Sequence, residues 1–162
     1  MRRLALLALL LLTTLAIFGA QQPAQNQPAS TNDFSGMYSF TKEGEFVQIN
    51  IEEHGKVTGF VSRFGDLPSD EGAFLDQFFK TASTDGTSMD FTTDKVHGVW
   101  FEFHGTVGRG EGKTPNDEAY YIIKGKLTKY ATDAAKKTTA QARQIELKSF
   151  PQDAGMEPQK RN

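Results

Sequence analysis

Through residues 33–150, apolar and polar positions alternate with period two, in runs broken by short turn-rich stretches. That pattern marks strands with one buried face. Phe34, Gly36, Tyr38 and Phe40 share one face of a first strand, and Val47, Ile49 and Ile51 share one face of a second. Val57, Gly59 and Val61 continue the pattern in a third. The link between the second and third sets the register. A two-residue loop at His54-Gly55 would place Ile51 against Thr58 and Ile49 against Phe60. A three-residue loop ending at Gly55 places Ile51 against Val57, Ile49 against Gly59 and Val47 against Val61. The second choice keeps apolar partners together and uses Gly55 as the left-handed residue of a G1 bulge, so it is the one expected.

Between Phe64 and Lys80 the rhythm stops. Gly65, Pro68, Ser69 and Gly72 are loop residues, and Phe74, Leu75, Phe78 and Phe79 then fall at helical spacing. The spacing predicts a short helix near 70–79, capped by Ser69 or Asp70, lying over the end of a sheet. The meander resumes at 79–83, turns at Thr84-Asp85-Gly86, and continues through Ser88–Thr93 with Met89 and Phe91 inward. The longest strand is expected at 97–107, with His97, Val99, Phe101 and Phe103 on its apolar face. A glycine-rich loop at 108–118 leads to 119–130, where Tyr121, Ile123, Gly125 and Leu127 alternate. A polar segment at 132–142 precedes a last strand carrying Ile145 and Leu147.

About eight strands joined in sequence by turns predict an all-β fold, an antiparallel up-and-down meander. It forms a small closed or nearly closed barrel, because closure removes exposed edges. A two-sheet β-sandwich would satisfy the same alternation. The strand count and meander resemble the barrels of the lipocalin and avidin type. The resemblance is architectural and implies room for one small ligand or a filled interior. Avidin-like biotin binding depends on several tryptophans around the site, whereas this chain has one, Trp100; no residue role is carried across.

The two ends differ from the barrel. Residues 1–20 open with Arg2 and Arg3 and continue as a Leu/Ala-rich run to Ala20, the layout of a secretory signal. Phe18 occupies a position where cleavage favours a small residue, and an uncleaved leader would be just long enough to anchor in a membrane. Residues 21–32 form a Gln/Pro linker with no apolar side chain larger than Ala, expected to be disordered, and 151–162 form a similar tail. The expected domain is therefore 33–150. With no cysteine in the chain, disulfides, thiolate metal sites and a cysteine nucleophile are excluded. Export without disulfides points to a bacterial envelope, periplasmic or extracellular. Without Arg2 and Arg3, the 18 basic residues become 16 against 20 acidic, a net of about −4. That balance offers no attraction to nucleic acid.

Motifs with chemical promise mostly fail. Gly108-Arg109-Gly110-Glu111-Gly112-Lys113-Thr114 lacks the first glycine of a phosphate-binding loop, where Val107 stands, and Pro115 with a strand follows instead of a helix. Glu102 and His104 share an outward face with Trp100 but lack a third metal ligand. No serine sits in a nucleophile elbow. No metal or cofactor is expected. Thirteen phenylalanines fill a core that has no disulfide support, or line a pocket. The candidate ligand-binding residues are His97, Tyr38, Phe101, Phe103 and Tyr121 in the barrel interior, with Phe74 and Phe78 at its mouth. The functional expectation is an exported, non-enzymatic binding module, holding a small apolar ligand in the barrel or an envelope protein on its surface. The alternative is a small hydrolase- or isomerase-type enzyme using His97 in a cavity.

Overall fold

The structure is a computed structural model that describes residues 34–152, Leu67 excepted. The expectations for the leader, the linker and the tail from 153 onward lie outside the described residues. Eight strands follow one another: β1 (Gly36–Ser39), β2 (Phe46–Ile51), β3 (Val57–Phe64), β4 (Phe74–Thr84), β5 (Ser88–Thr93), β6 (Val99–Arg109), β7 (Tyr121–Thr132) and β8 (Thr138–Lys148). They form one antiparallel sheet in the order β1 to β8, a pure meander. Among the described residues no helix is long and apolar enough to cross a membrane, a statement that says nothing of strands.

The sheet curls on itself but closes at one end only. β1 is short, and its contact with the far edge is a single bridge between Tyr38 and Ser149, which lies just past β8. The Phe150 amide donates to the Met37 carbonyl at 2.8 Å, and the Lys148 amide donates to Ser39 Oγ at 3.1 Å. β1 ends at Ser39, so the first half of β8 has no strand beyond it. The result is a half-barrel, closed where β1 begins and open where β8 begins.

The expected β2–β3 register is the one observed: Ile51 faces Val57, Ile49 faces Gly59 and Val47 faces Val61. One side of the sheet lines a core of Phe34, Tyr38, Val47, Ile49, Val61, Met89, Phe91, Phe103, Ile123, Leu127 and Leu147, each at most 2% exposed. Rings of Phe79, Phe91 and Phe103 stack in sequence at 4.5 and 5.2 Å. Each buried large apolar side chain contributes about 1.5–3 kcal/mol, which is how a domain without cysteine holds together.

Three expectations are corrected. The helix near 70–79 is absent. Pro68–Asp70 makes one 3₁₀ turn, and β4 begins at Phe74. The segment looked helical because both faces of this strand are apolar: Leu75 and Phe79 point in while Phe74 and Phe78 point out. Pairing with β3 decides the outcome, setting Phe78 opposite Phe60 and Phe74 opposite Phe64. Second, the long strand starts at Val99 and not at His97. His97 and Gly98 have φ of 49° and 81°, and Val96 and Val99 exchange both backbone hydrogen bonds at 2.9 and 3.0 Å. That is a two-residue hairpin turn of the kind that needs positive φ at both central positions. Third, the polar segment at 132–142 is mostly strand. β8 pairs with β7 from Thr138 onward, so backbone hydrogen bonds order a stretch with almost no apolar signal.

Turn carboxylates give the domain an acid-sensitive side. The Thr87 amide and hydroxyl and the Ser88 amide donate to Asp85 at 2.7–2.9 Å, holding its carboxyl far below the usual range. The Thr114 and Lys113 amides donate to Asp117 at 2.8 Å each and lower its carboxyl as well. A carboxyl whose folded pKa is lowered stabilises the fold fully above its unfolded value, near 3.9, and that stability is lost as pH falls. Calorimetric Tm is therefore expected to be flat from neutrality to about pH 5 and to fall steadily below it. The D85N variant should show a shallower fall, and an equal slope in D85N and the parent would refute the assignment.

Candidate functional site

Most of the expected interior residues are indeed inside. Tyr38 is fully buried, and its hydroxyl donates to the Phe34 carbonyl. Phe103 is fully buried, Phe101 is 3% exposed and Tyr121 is 8% exposed. Tyr38, Phe101, Phe103 and Tyr121 all belong to the packed core, so they fill the barrel where a ligand was expected, with only the edge of Phe101 reaching a cleft at the open end. The other three expected positions lie elsewhere. His97 sits half-exposed on the β5–β6 turn, its Nδ1 2.9 Å from the buried Asp70 carboxylate. Phe74 and Phe78 are 48% and 61% exposed on the outer face. Neither covers a mouth, because β4 carries them on the face opposite Leu75 and Phe79.

The interior changes character toward the open end. Arg63 has the same strand parity as Val57, Gly59 and Val61, so its side chain enters the barrel. It is 3% exposed, and its guanidinium lies 5.6 Å from the Phe101 ring centre. Its Nε donates to Gln77 Oε1, and its Nη1 donates to the Phe64 carbonyl and to Asp66 Oδ2, each at 2.8 Å. Gln77 is fully buried and donates in turn to the Asp94 and Val99 carbonyls at 3.0 and 2.9 Å. Asp66 also accepts from Lys129 Nζ at 2.8 Å. Burial pushes the Asp66 carboxyl up, but the Lys129 hydrogen bond and the charges of Arg63, Lys129 and Lys42 outweigh it and lower it. This ionic plug closes the core from below.

Beside the plug a cleft of about 200 Å³ opens on the inner face of β6, β7 and β8. It exists because β1 ends before it could cover this part of the sheet. Phe101 and Leu127 form an apolar floor, while Lys129, Gln141, Ala142 and Arg143 form the walls. Two of the six lining residues are cations and none is a carboxylate. Lys129 is paired with Asp66, whereas Arg143 has no ion-pair or hydrogen-bond partner among the described residues. Half of the lining is apolar (Phe101, Leu127 and Ala142) and half is polar (Lys129, Gln141 and Arg143), so a ligand there would meet a narrow apolar floor and several orienting groups.

Sequence inspection singled out Phe101 and missed the rest of this cleft. The missing signal was parity. Lys129 continues the inward series Tyr121, Ile123, Gly125 and Leu127, and Arg143 precedes Ile145 and Leu147 at the same spacing. Three basic residues at inward parity, Arg63, Lys129 and Arg143, mark one end of the barrel as polar.

The outward motifs are engaged in structure. Glu102 accepts from the Tyr130 hydroxyl at 2.8 Å, a contact that raises the Tyr130 pKa, and Trp100 stacks on Tyr130 at 4.9 Å. His104 is 2.8 Å from Asp90 and largely exposed. In the glycine-rich loop the Gly110 and Gly112 amides donate to the Tyr120 and Ala119 carbonyls at 3.2 and 3.3 Å, so they do not point at an anion.

No family model matches this chain, and no curated protein matches it. Solved structures do resemble it. One is the crystal structure of a rhizavidin–biotin complex, 10% identical with a TM-score of 0.54, covering 77% of this chain and 98% of that one. Another is rhizavidin, 9% identical with a TM-score of 0.54, covering 75% of this chain and 86% of that one. At such identity the likeness concerns the backbone path alone: this chain has an eight-stranded antiparallel meander similar in fold to the avidin-like barrel of rhizavidin.

Proposed function

We propose that this protein is an exported, non-enzymatic binding module that takes a small ligand in the cleft at the open end of the barrel. The carrying observation is the pairing of an apolar floor, Phe101 and Leu127, with the guanidinium of Arg143, which has no partner among the described residues. Such a site suits a compact apolar ligand bearing a carboxylate, or the carboxylate end of a longer one, since about 200 Å³ admits little more. The fold-level likeness to a biotin-binding barrel supports a binding role, although the lone tryptophan, Trp100, lies on the outer face and away from the cleft. Catalysis finds less support: His97 is outside the cleft and shares its ring nitrogen with Asp70. The leader-like residues 1–20 support export, to the periplasm or beyond.

Titration calorimetry with octanoate, octanol and biotin tests this reading. Octanoate is expected to bind and octanol to bind more weakly. Arg143→Glu should weaken octanoate by about tenfold or more, the worth of one charge-assisted hydrogen bond. Equal affinity for the acid and the alcohol, or an Arg143→Glu variant that binds like the parent, would sink it.

A further inference from the structure

The outer face of β2, β3 and β4 carries five phenylalanines in two groups, Phe46 with Phe60 and Phe78, and Phe64 with Phe74, with the Ser62–Asp76 pair between them. Phe46 and Phe60 pack edge to face at 5.8 Å, Phe60 and Phe78 lie 5.6 Å apart, and Phe64 and Phe74 lie 4.4 Å apart. Phe78 is 61% exposed and Phe74 is 48% exposed. On an antiparallel sheet the face turned away from the core is ordinarily polar. Exposed aromatic rings grouped there mark an interaction surface.

We propose that this face is the contact surface of a homodimer, with β3 and β4 of one copy stacked against β3 and β4 of a second. The occupant is argued from charge. Along the outer face of β4, Asp76 lies two residues before Phe78 and Lys80 two residues after it. Both side chains are exposed, and neither has an ion-pair or hydrogen-bond partner among the described residues. Phe60 is directly opposite Phe78 in the β3–β4 register. A two-fold axis running across the strands through Phe60 and Phe78 reverses the strand direction and turns the two faces together. It sets Phe60 on Phe60, Phe78 on Phe78, and Asp76 of each copy against Lys80 of the other. Sheets packed this way sit about 10 Å apart, a gap that interdigitated phenylalanines fill. Two reciprocal ion pairs flanking an aromatic centre make the surface self-complementary, as a two-fold contact requires.

Sedimentation velocity across a micromolar-to-submillimolar range tests the proposal on the whole chain without its leader. A reversible monomer–dimer equilibrium is expected. Phe78→Glu should weaken it by about a hundredfold, as loss of a central aromatic anchor does, while the dilute monomer still unfolds in one cooperative thermal transition, read by circular dichroism. Asp76→Lys alone and Lys80→Asp alone should each weaken it by about tenfold, and the combined swap should restore parental affinity, since each copy then carries both reversed charges. A protein that stays monomeric throughout overturns the proposal. So does a dimer indifferent to Phe78→Glu, or a combined swap no better than the singles. Flotation with phosphatidylcholine–phosphatidylglycerol vesicles is run in parallel, and vesicle binding by a strictly monomeric protein would assign the patch to a lipid surface and refute the second copy.

Discussion

Replacing Arg63 with Ala is expected to lower Tm by more than about 10 °C, a loss of roughly 3–5 kcal/mol for a domain of this size. The reason is what the guanidinium leaves behind. Arg63 is 3% exposed and is the donor for Gln77 Oε1, the Phe64 carbonyl and Asp66. Without it, a fully buried amide oxygen loses its partner and Asp66 keeps only the Lys129 hydrogen bond and the charge of Lys42 to offset its partial burial. A buried polar group stripped of its partner keeps the full desolvation cost. Arg63→Lys retains the charge but cannot reach Gln77 and Asp66 with a planar fork, so an intermediate loss is expected. Arg63→Ala combined with Gln77→Leu removes the stranded amide together with the guanidinium and should recover part of the deficit. Thermal denaturation by circular dichroism reads all three. A shift below about 2 °C for Arg63→Ala would mean that the plug is solvated and holds nothing, contrary to a net polar-network value of a few kcal/mol.

The same residue shows how far the sequence could be read. The inner faces of β2, β3, β5, β6 and β7 were legible because one face was apolar and the other was not, and period two leaves no freedom once that is so. The β2–β3 register followed from apolar matching around Gly55 and was correct to the residue. β4 was illegible for the opposite reason: Phe74, Leu75, Phe78 and Phe79 make both faces apolar, and a strand with two apolar faces has the same composition as a helical stripe. Only the long-range pairing of Phe60 with Phe78 and Phe64 with Phe74 separates the two. The end of β8 was legible in Ile145 and Leu147, but its first half was not, since hydrogen bonding to β7 orders it from Thr138 through residues that are all exposed as far as Gln144. As for the cleft, its apolar floor was visible in Phe101. Its charged walls were not apolar and so gave no alternation signal, although strand parity puts Lys129 and Arg143 on the inner face, where the open end leaves Arg143 exposed. The extent of the opening could not be read at all, because it depends on β1 ending at Ser39 while β8 runs on past it.

Gly125→Val is expected to abolish cooperative folding, and Gly125→Ala to cost about 3 kcal/mol or more, above the usual range for overpacking. Gly125 is paired with Gly105 on one side and with Ile145 on the other. A β-carbon added at Gly125 would lie 2.2 Å from the His104 carbonyl oxygen and 2.5 Å from the Gly105 α-carbon. These are backbone atoms of the neighbouring strand, which no rotamer change can move aside. Its partner is equally confined: a β-carbon at Gly105 would meet the Phe103 ring at 2.5 Å and the Lys124 carbonyl oxygen at 2.8 Å. The two glycines therefore let β6 and β7 approach closely at one point and give the Phe103 ring its place in the Phe79–Phe91–Phe103 stack. Forcing the strands apart there would disturb that stack and, two pairs further along, the Leu127 floor of the cleft. Gly108 serves as the control on the same strand pair, because a β-carbon there meets only Ile122 Cγ1 at 4.0 Å. Gly108→Ala should leave Tm within about 2 °C of the parent, as surface substitutions away from such features do. A Gly125→Ala variant with the stability of Gly108→Ala would show that the strands can separate freely, and the close approach would then carry no weight in holding either the core or the cleft.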